Sequence, residues 1–243
     1  MSEPSPLATD DLATRASQLA ELEARIGHHF ANQRLLERAL QHSSFAHETA
    51  GLESNERLEF LGDAILGLVV AHALFDAHPD WAEGDLTRAL ASLVDRRSLA
   101  RVGSELRLGE CLRLGRTEQR SGGAEKASIL ADATEAVLGA IYLDQGLEPV
   151  RRFVADAFAE SMAPDAPRVE RDPKTELNEK VMASSGEFPT YELVRDTEVE
   201  NDDQRFTVQV RIRGEVCGKG GGRTKQAAEV SAARTALFGL LDG

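Results

Sequence analysis

From Leu19 to about Ala163 apolar residues recur every three or four positions without sustained alternation, which predicts a run of amphipathic helices and no strand. Gly84, Gly103, Gly109, Gly115, Gly122 and Gly123 punctuate the run and are expected to mark its breaks. In one predicted helix Leu58, Leu61, Ile65, Leu68 and Val69 make an apolar stripe, and Glu56, Glu59 and Asp63, spaced i, i+3, i+7, make an acidic stripe opposite it. The pattern then changes. Residues 164–171, rich in proline and charge, read as a linker. Thr175–Ser184 reads as a helix, Tyr191–Arg195 as a strand, and Phe206, Val208, Val210 and Ile212 as a strand of period two. Gly214 turns the chain into a third strand at 215–218, and Gln226–Leu241 reads as a closing helix. The expected organisation is a flexible start over 1–18, an all-α domain over 19–163, a linker over 164–171 and a small α-β-β-β-α (α+β) domain over 172–243.

Three acids on an amphipathic helix are most simply a solvated face. A second segment alters that balance, because Ser128–Tyr142 places Asp132 and Glu135 at i, i+3 among small and apolar residues. Buried carboxylates must find partners or shift their protonation. Oxygen ligands without an accompanying His or Cys cluster suit a hard cation, so Mg²⁺ or Mn²⁺ is expected here rather than Zn²⁺.

A length of 243 residues accommodates one sizeable core and a smaller second domain, and 42% hydrophobic residues exclude a mainly disordered chain. No apolar run is expected to reach the ~20 residues of a membrane span, so a soluble protein with no membrane contact is anticipated. The first residues lack the basic and apolar regions of a signal or transit peptide. With only Cys111 and Cys217, in different predicted domains, a reduced, cytoplasmic protein with two inert thiols is the simplest expectation. The formal net charge of −13 opposes a uniform grip on a polyanion. Of the 28 basic residues five are lysine, leaving 23 arginines, whose fork geometry suits phosphate.

The stretch Asn55–Leu66, Asn-Glu-Arg-Leu-Glu-Phe-Leu-Gly-Asp-Ala-Ile-Leu, resembles the signature of the ribonuclease III family, the double-strand-specific endoribonucleases. Leu22–Phe30, Leu35–Phe45, Leu112–Arg116, Ser121–Gly123 and Lys126–Asp132 extend the resemblance over roughly residues 20–160. It implies a metal-binding quartet of Glu59, Asp63, Asp132 and Glu135, with Asp63 and Glu135 catalytic. Glu56 would be a further acid near a dimer axis, and Glu83 one that a partner subunit brings close. Lys126 and Ser128 would face RNA. The implied reaction is Mg²⁺-dependent hydrolysis, with Mn²⁺ substituting, in which two ions about 4 Å apart activate water. The implied products have 5′-phosphate and 3′-hydroxyl ends with two-nucleotide 3′ overhangs, as in rRNA-precursor and mRNA processing. A homodimer would supply the paired cuts, with Phe60 a plausible contact.

The α-β-β-β-α order followed by Gly220-Gly-Gly-Arg-Thr-Lys-Gln-Ala-Ala resembles the double-stranded RNA-binding domain. A helix N-terminus beside Lys225 would clamp phosphate, with Arg223, Thr224, Thr175 and Asn178 as further RNA contacts. The chain departs from the family in two places. Gln226 stands where a second lysine is usual, and the loop that normally enters the minor groove reads Glu-Val-Glu-Asn-Asp-Asp-Gln over 198–204. Its four acids should repel phosphate. The alternatives are a non-catalytic double-stranded RNA-binding or ribosome-associated protein of the same fold, and a helical phosphohydrolase acting on small molecules.

Overall fold

The computed structural model describes residues 6–49, 51–163, 165–169 and 171–241. Residues 1–5 of the expected flexible start, and Pro164 and Glu170 of the expected linker, lie outside that set. The chain divides into two units, Met1–Val169 and Glu170–Gly243, each with its own core.

The first unit is helical, with α1 (Pro6–Ile26), α2 (Gln33–Ala39), α3 (Ser43–Glu48), α4 (Glu56–Ala77), α5 (Glu83–Leu93), α6 (Arg96–Glu105), α7 (Arg116–Arg120), α8 (Ala127–Gln145) and α9 (Leu147–Ala157). Residues 6–18, expected to be flexible, are instead the first turns of α1. Arg15 ties that helix down, its guanidinium donating to the Cys111 carbonyl at 2.7 Å and pairing with Glu37 at 3.0 Å, while Leu19, Leu22 and Ile26 enter the core. At the other end, residues 165–169 belong to the first unit rather than to a free linker. Arg168 lies over the Trp81 ring and pairs with Asp80 and Asp85.

Helices α4 and α8 cross at the centre. Gly62 and Gly139 permit this, because a Cβ on Gly62 would collide with the Glu135 carbonyl and one on Gly139 with the Leu58 carbonyl. The resulting core includes Leu58, Ile65, Leu66, Val69, Val70 and Leu74 of α4, whereas Leu68, assigned to the apolar stripe, is 59% exposed. Its outward position follows the helical period, which sets it on the face of Phe60 and Phe75. Gly84 and Gly103 lie within α5 and α6 rather than at breaks. A side chain at 103 would press on the Thr134 hydroxyl and the Leu130 carbonyl of α8. By length and composition α4 could cross a bilayer, with a mean hydropathy of 1.8 over its apolar window, contrary to the sequence expectation. Here that apolarity serves the crossing with α8.

The second unit comprises α10 (Pro173–Ser185), an antiparallel sheet ordered β1 (Thr190–Asp196), β2 (Phe206–Ile212), β3 (Glu215–Gly222), and α11 (Lys225–Leu241). Pro173 at the helix start and the Asp172 carboxylate, which accepts from the Thr175 N–H at 2.9 Å, set the beginning of α10. Val208 pairs with Leu193 and Gly220, and Val210 with Tyr191 and Gly218. Both valines point inward, onto Leu177, Val181 and the alanines of α11. The third strand, expected at 215–218, runs on through the glycine run to Gly222, for Gly218, Gly220 and Gly222 lie against α11 at Ala228, Ala232 and Ala236 with no room for a Cβ.

Candidate metal centre and nucleic-acid interface

Asn55 starts the site. It is buried, its backbone N–H donates to the Gln41 carbonyl at 2.8 Å, and its side chain donates to the Ala39 carbonyl at 3.3 Å. The first turn of α4 is thereby held against the end of α2. One turn further on, Glu59 meets Asp132 and Glu135 of α8, and one carboxylate oxygen from each lies within 4.8 Å of the others. The close glycine crossing brings the two acid pairs together. All three residues are only partly exposed.

The electrostatics record an unmet need for cations. Desolvation and repulsion from Asp132, Glu56 and Asp63 raise the Glu59 carboxyl. Burial likewise raises Asp132, against the opposing charges of Arg96 and His42. Glu135 is pushed up to about 7 by burial, then by Asp63, Glu59 and Asp132, with Arg96 again opposing. A carboxylate whose neighbours are carboxylates favours its neutral form until a cation arrives. An all-oxygen donor set on two rigid helices fits a hard divalent ion.

Not every expected residue joins this cluster. Asp63 stands outside the three-oxygen group, yet its charge reaches Glu59 and Glu135. Glu56, at the start of α4, accepts from the Ser54 hydroxyl at 2.5 Å. Glu83 opens α5 and accepts from the Thr87 hydroxyl at 2.9 Å. Arg96 and His42 were not among the sequence candidates. His42 lay inside a recognised segment, but nothing local marks Arg96, which reaches the site because the Thr134 hydroxyl stitches α8 to the Leu99 carbonyl of α6 at 3.2 Å.

The proposed RNA contacts divide into occupied and free groups. Lys126, at the start of α8, pairs with Glu118 at 2.6 Å and also donates to Ser121 at 2.9 Å. Ser128 and Asn178 are half-buried. Two threonines serve helix starts: the Thr224 hydroxyl accepts from the Ala227 N–H at 3.1 Å, and the Thr175 hydroxyl donates to Asp172 at 3.1 Å. Arg223 is paired with Asp203. Lys225, the first residue of α11, is exposed and makes no ion pair among the described residues.

Residues 32–162 match the family described as Ribonuclease-III-like, and residues 173–239 match the double-stranded RNA binding motif. Ribonuclease 3 of Desulforamulus reducens is 48% identical over 236 residues, spanning 96% of this chain and 95% of that protein. The chain belongs to the ribonuclease III family. Ribonuclease 3 of Pelotomaculum thermopropionicum is 46% identical, covering 91% of this chain and 92% of that protein. The nuclease domain of ribonuclease III from Campylobacter jejuni superimposes with a TM-score of 0.53 at 41% identity, over 57% of this chain and 97% of that domain. That structure was described for flexibility in a region involved in its dimer formation. This chain is therefore a ribonuclease III endonuclease, with a helical nuclease domain followed by a double-stranded RNA-binding domain.

Proposed function

We propose that this ribonuclease III hydrolyses both strands of duplex RNA at the Glu59–Asp132–Glu135 cluster, using Mg²⁺ and accepting Mn²⁺. The observation that carries this is the convergence of three partly buried carboxylates, all with raised protonation and all lacking an ion-pair partner among the described residues. When bound, a divalent ion supplies Lewis acidity, lowering the pKa of water and stabilising charge on phosphate oxygens. The protein residues do the rest. Glu59, Asp132 and Glu135 would hold the ion, and Asp63 adds negative charge that favours its retention. Without cations the same acids repel the scissile phosphate, so cleavage is gated by metal. Water, rather than the 2′-hydroxyl, is the proposed nucleophile, leaving 5′-phosphate and 3′-hydroxyl ends.

Dimerisation is supported by an exposed apolar stripe on α4. Phe60, Leu68 and Phe75 are 79%, 59% and 67% exposed and share one helical face with Ala64 and Ala71. Two such chains related by a twofold axis would cut opposite strands, giving two-nucleotide 3′ overhangs. Glu83 is proposed to approach the partner's cluster. In the second unit the exposed Lys225 sits at the N-terminus of α11, where unpaired backbone N–H groups favour phosphate. The free thiols Cys111 and Cys217 accord with a proposed cytoplasmic, rRNA- and mRNA-processing role.

A long perfect RNA duplex incubated with purified protein, with and without Mg²⁺, tests the reading on a gel. Defined fragments with 5′-phosphate ends are expected only with the metal. Metal-independent cleavage, or 2′,3′-cyclic phosphate ends, would overturn it.

A further inference from the structure

The loop between β1 and β2 is a hydrogen-bonded turn seated on the end of β3. The Thr197 N–H donates to the Arg205 carbonyl at 3.0 Å, and the Arg205 N–H to the Asp202 carbonyl at 3.1 Å. Asp196 accepts from the Glu198 N–H at 2.9 Å and from Arg205 Nε at 3.0 Å. Asp202 accepts from the Gln204 N–H at 2.9 Å and from the Thr197 hydroxyl at 3.0 Å. These two carboxylates are consumed by the loop itself. Gln204 then occupies the space that a side chain at Gly221 would need. Next to it, the Asp203 carboxylate accepts from Arg223 Nε at 3.1 Å and from a terminal guanidinium nitrogen.

We propose that Asp203 occupies the phosphate seat of Arg223, so that duplex RNA binds the second domain by displacing a carboxylate the protein itself provides. This rests on the reading of Arg223 as an RNA contact. A guanidinium presents its fork to one oxyanion group at a time with full geometry, and carboxylate and phosphate compete for it. A free arginine that meets phosphate releases a counterion, which is what makes such binding favourable and dependent on salt. An arginine already paired exchanges one anion for another and gains less. Because both partners are exposed, 63% for Arg223 and 79% for Asp203, the pair adds little to folding. Its consequence is a weakened, exchange-limited grip on RNA through this domain. Lys225, which makes no ion pair among the described residues, remains the immediate phosphate contact.

The test measures binding of a short blunt RNA duplex to the full chain in metal-free buffer, where nothing is cut, at several salt concentrations. Asp203→Asn and Asp203→Ala should each tighten binding by about two- to fivefold, the size of an exposed ion pair. They should also steepen the salt dependence by up to about one counterion. The gain should vanish when Arg223 is also Ala. Glu198→Gln, which removes charge from the same loop without touching Arg223, separates contact from general repulsion, because its effect should persist in the Arg223→Ala background. If Arg223→Ala weakens binding while both Asp203 variants leave it unchanged or loosen it, the proposal is overturned and the RNA-contact reading stands. The proposal is equally overturned if the Asp203 gain persists in the Arg223→Ala background. If Arg223→Ala and Lys225→Ala both leave affinity unchanged, the RNA-contact reading itself fails.

Discussion

The carboxylates at the α4–α8 crossing and those on the sheet and loop of the RNA-binding unit are shifted in opposite directions. At the crossing Glu59, Asp132 and Glu135 are raised, chiefly by burial and then, for the two glutamates, by neighbouring carboxylates, Asp132 first for Glu59 and Asp63 first for Glu135. In the RNA-binding unit Glu192, Asp196 and Asp202 are lowered, chiefly by hydrogen bonds from Gln209, from the Glu198 N–H and from the Gln204 N–H respectively. Side chains of the same chemistry thus fall into two states. One set is satisfied within the protein, and the other has been brought together with no ion-pair partner among the described residues, the arrangement that the proposed cation would complete. Carboxylate count says little about function, whereas the absence of a partner at a packed helix crossing says a great deal.

The sharpest way to break this contrast is to remove one acid from each set. Glu135→Gln should lower cleavage on the order of a hundredfold or more, the cost of losing a charge-stabilising group at a reacting centre. Duplex binding should stay within about twofold, since the Lys225 side of the molecule is untouched. Asp202→Asn, which alters only a satisfied acid, should leave the rate at saturating RNA intact. Single-turnover cleavage together with binding titration checks both, and equal losses would erase the distinction.

A pH series sharpens the comparison further. Glu135 lies near 7 in the metal-free protein, above the 4.5 of an ordinary glutamate, so protons compete with metal between those values. Apparent metal affinity should climb as pH rises through that window and level off above it. Folding linkage has the matching sign. The raised carboxyl gives the metal-free protein a stabilising contribution that is complete below pH 4.5 and lost as pH rises through 7, and added Mg²⁺ should restore stability most at the high end. Melting curves with chelator and with Mg²⁺ across pH 5–8 read both effects.

Asp144 is the satisfied extreme inside the nuclease unit. It accepts from His28 Nε2 at 3.1 Å and from the N–H groups of Ala31 and Asn32 at 3.0 and 2.8 Å. Despite the burial that opposes them, these bonds hold its carboxyl below the usual 3.8. The stability it contributes should be present above that value and lost only as pH falls below it. Asp144→Asn should cost about 2 kcal/mol, the scale of hydrogen bonds to a charged group, visible as a lower Tm at neutral pH. The smallest effect is expected at the surface. Glu192→Gln, which removes the charge on β1 that pairs with Arg211 and accepts from Gln209 on β2, should leave Tm unchanged within about 2 °C and cleavage unaffected.

Both acid pairs were legible because their spacing is local. Glu59 and Asp63, and Asp132 and Glu135, lie within one or two turns of their own helices, and the helical period alone assigns each pair a face. The alternation of Phe206, Val208, Val210 and Ile212 was legible for the same reason, since a strand declares its buried side in its own residues. Other features had no such local mark. Leu68 sits at the edge of the apolar stripe of α4 and also on the face of Phe60 and Phe75, and the packing of the domain decides that it falls on the exposed side. Nothing local carries β3 past 218 into the glycine run; once α11 is laid across it, the missing side chains become the condition for contact with Ala228 and Ala232.

What the sequence determined by itself was therefore the content of each element: helix or strand, which face is apolar, and which acids share a stripe. These properties follow from periodicity and backbone sterics over a few residues. Tertiary structure alone decided partnership. It joined Glu59 to acids more than 70 positions away, brought Arg96 to bear on them, set Asp203 on Arg223 and Glu118 on Lys126, and left Lys225 with no ion pair among the described residues. Charges interact through space over a few ångströms, and distance along the chain carries no information about that separation until packing has set it.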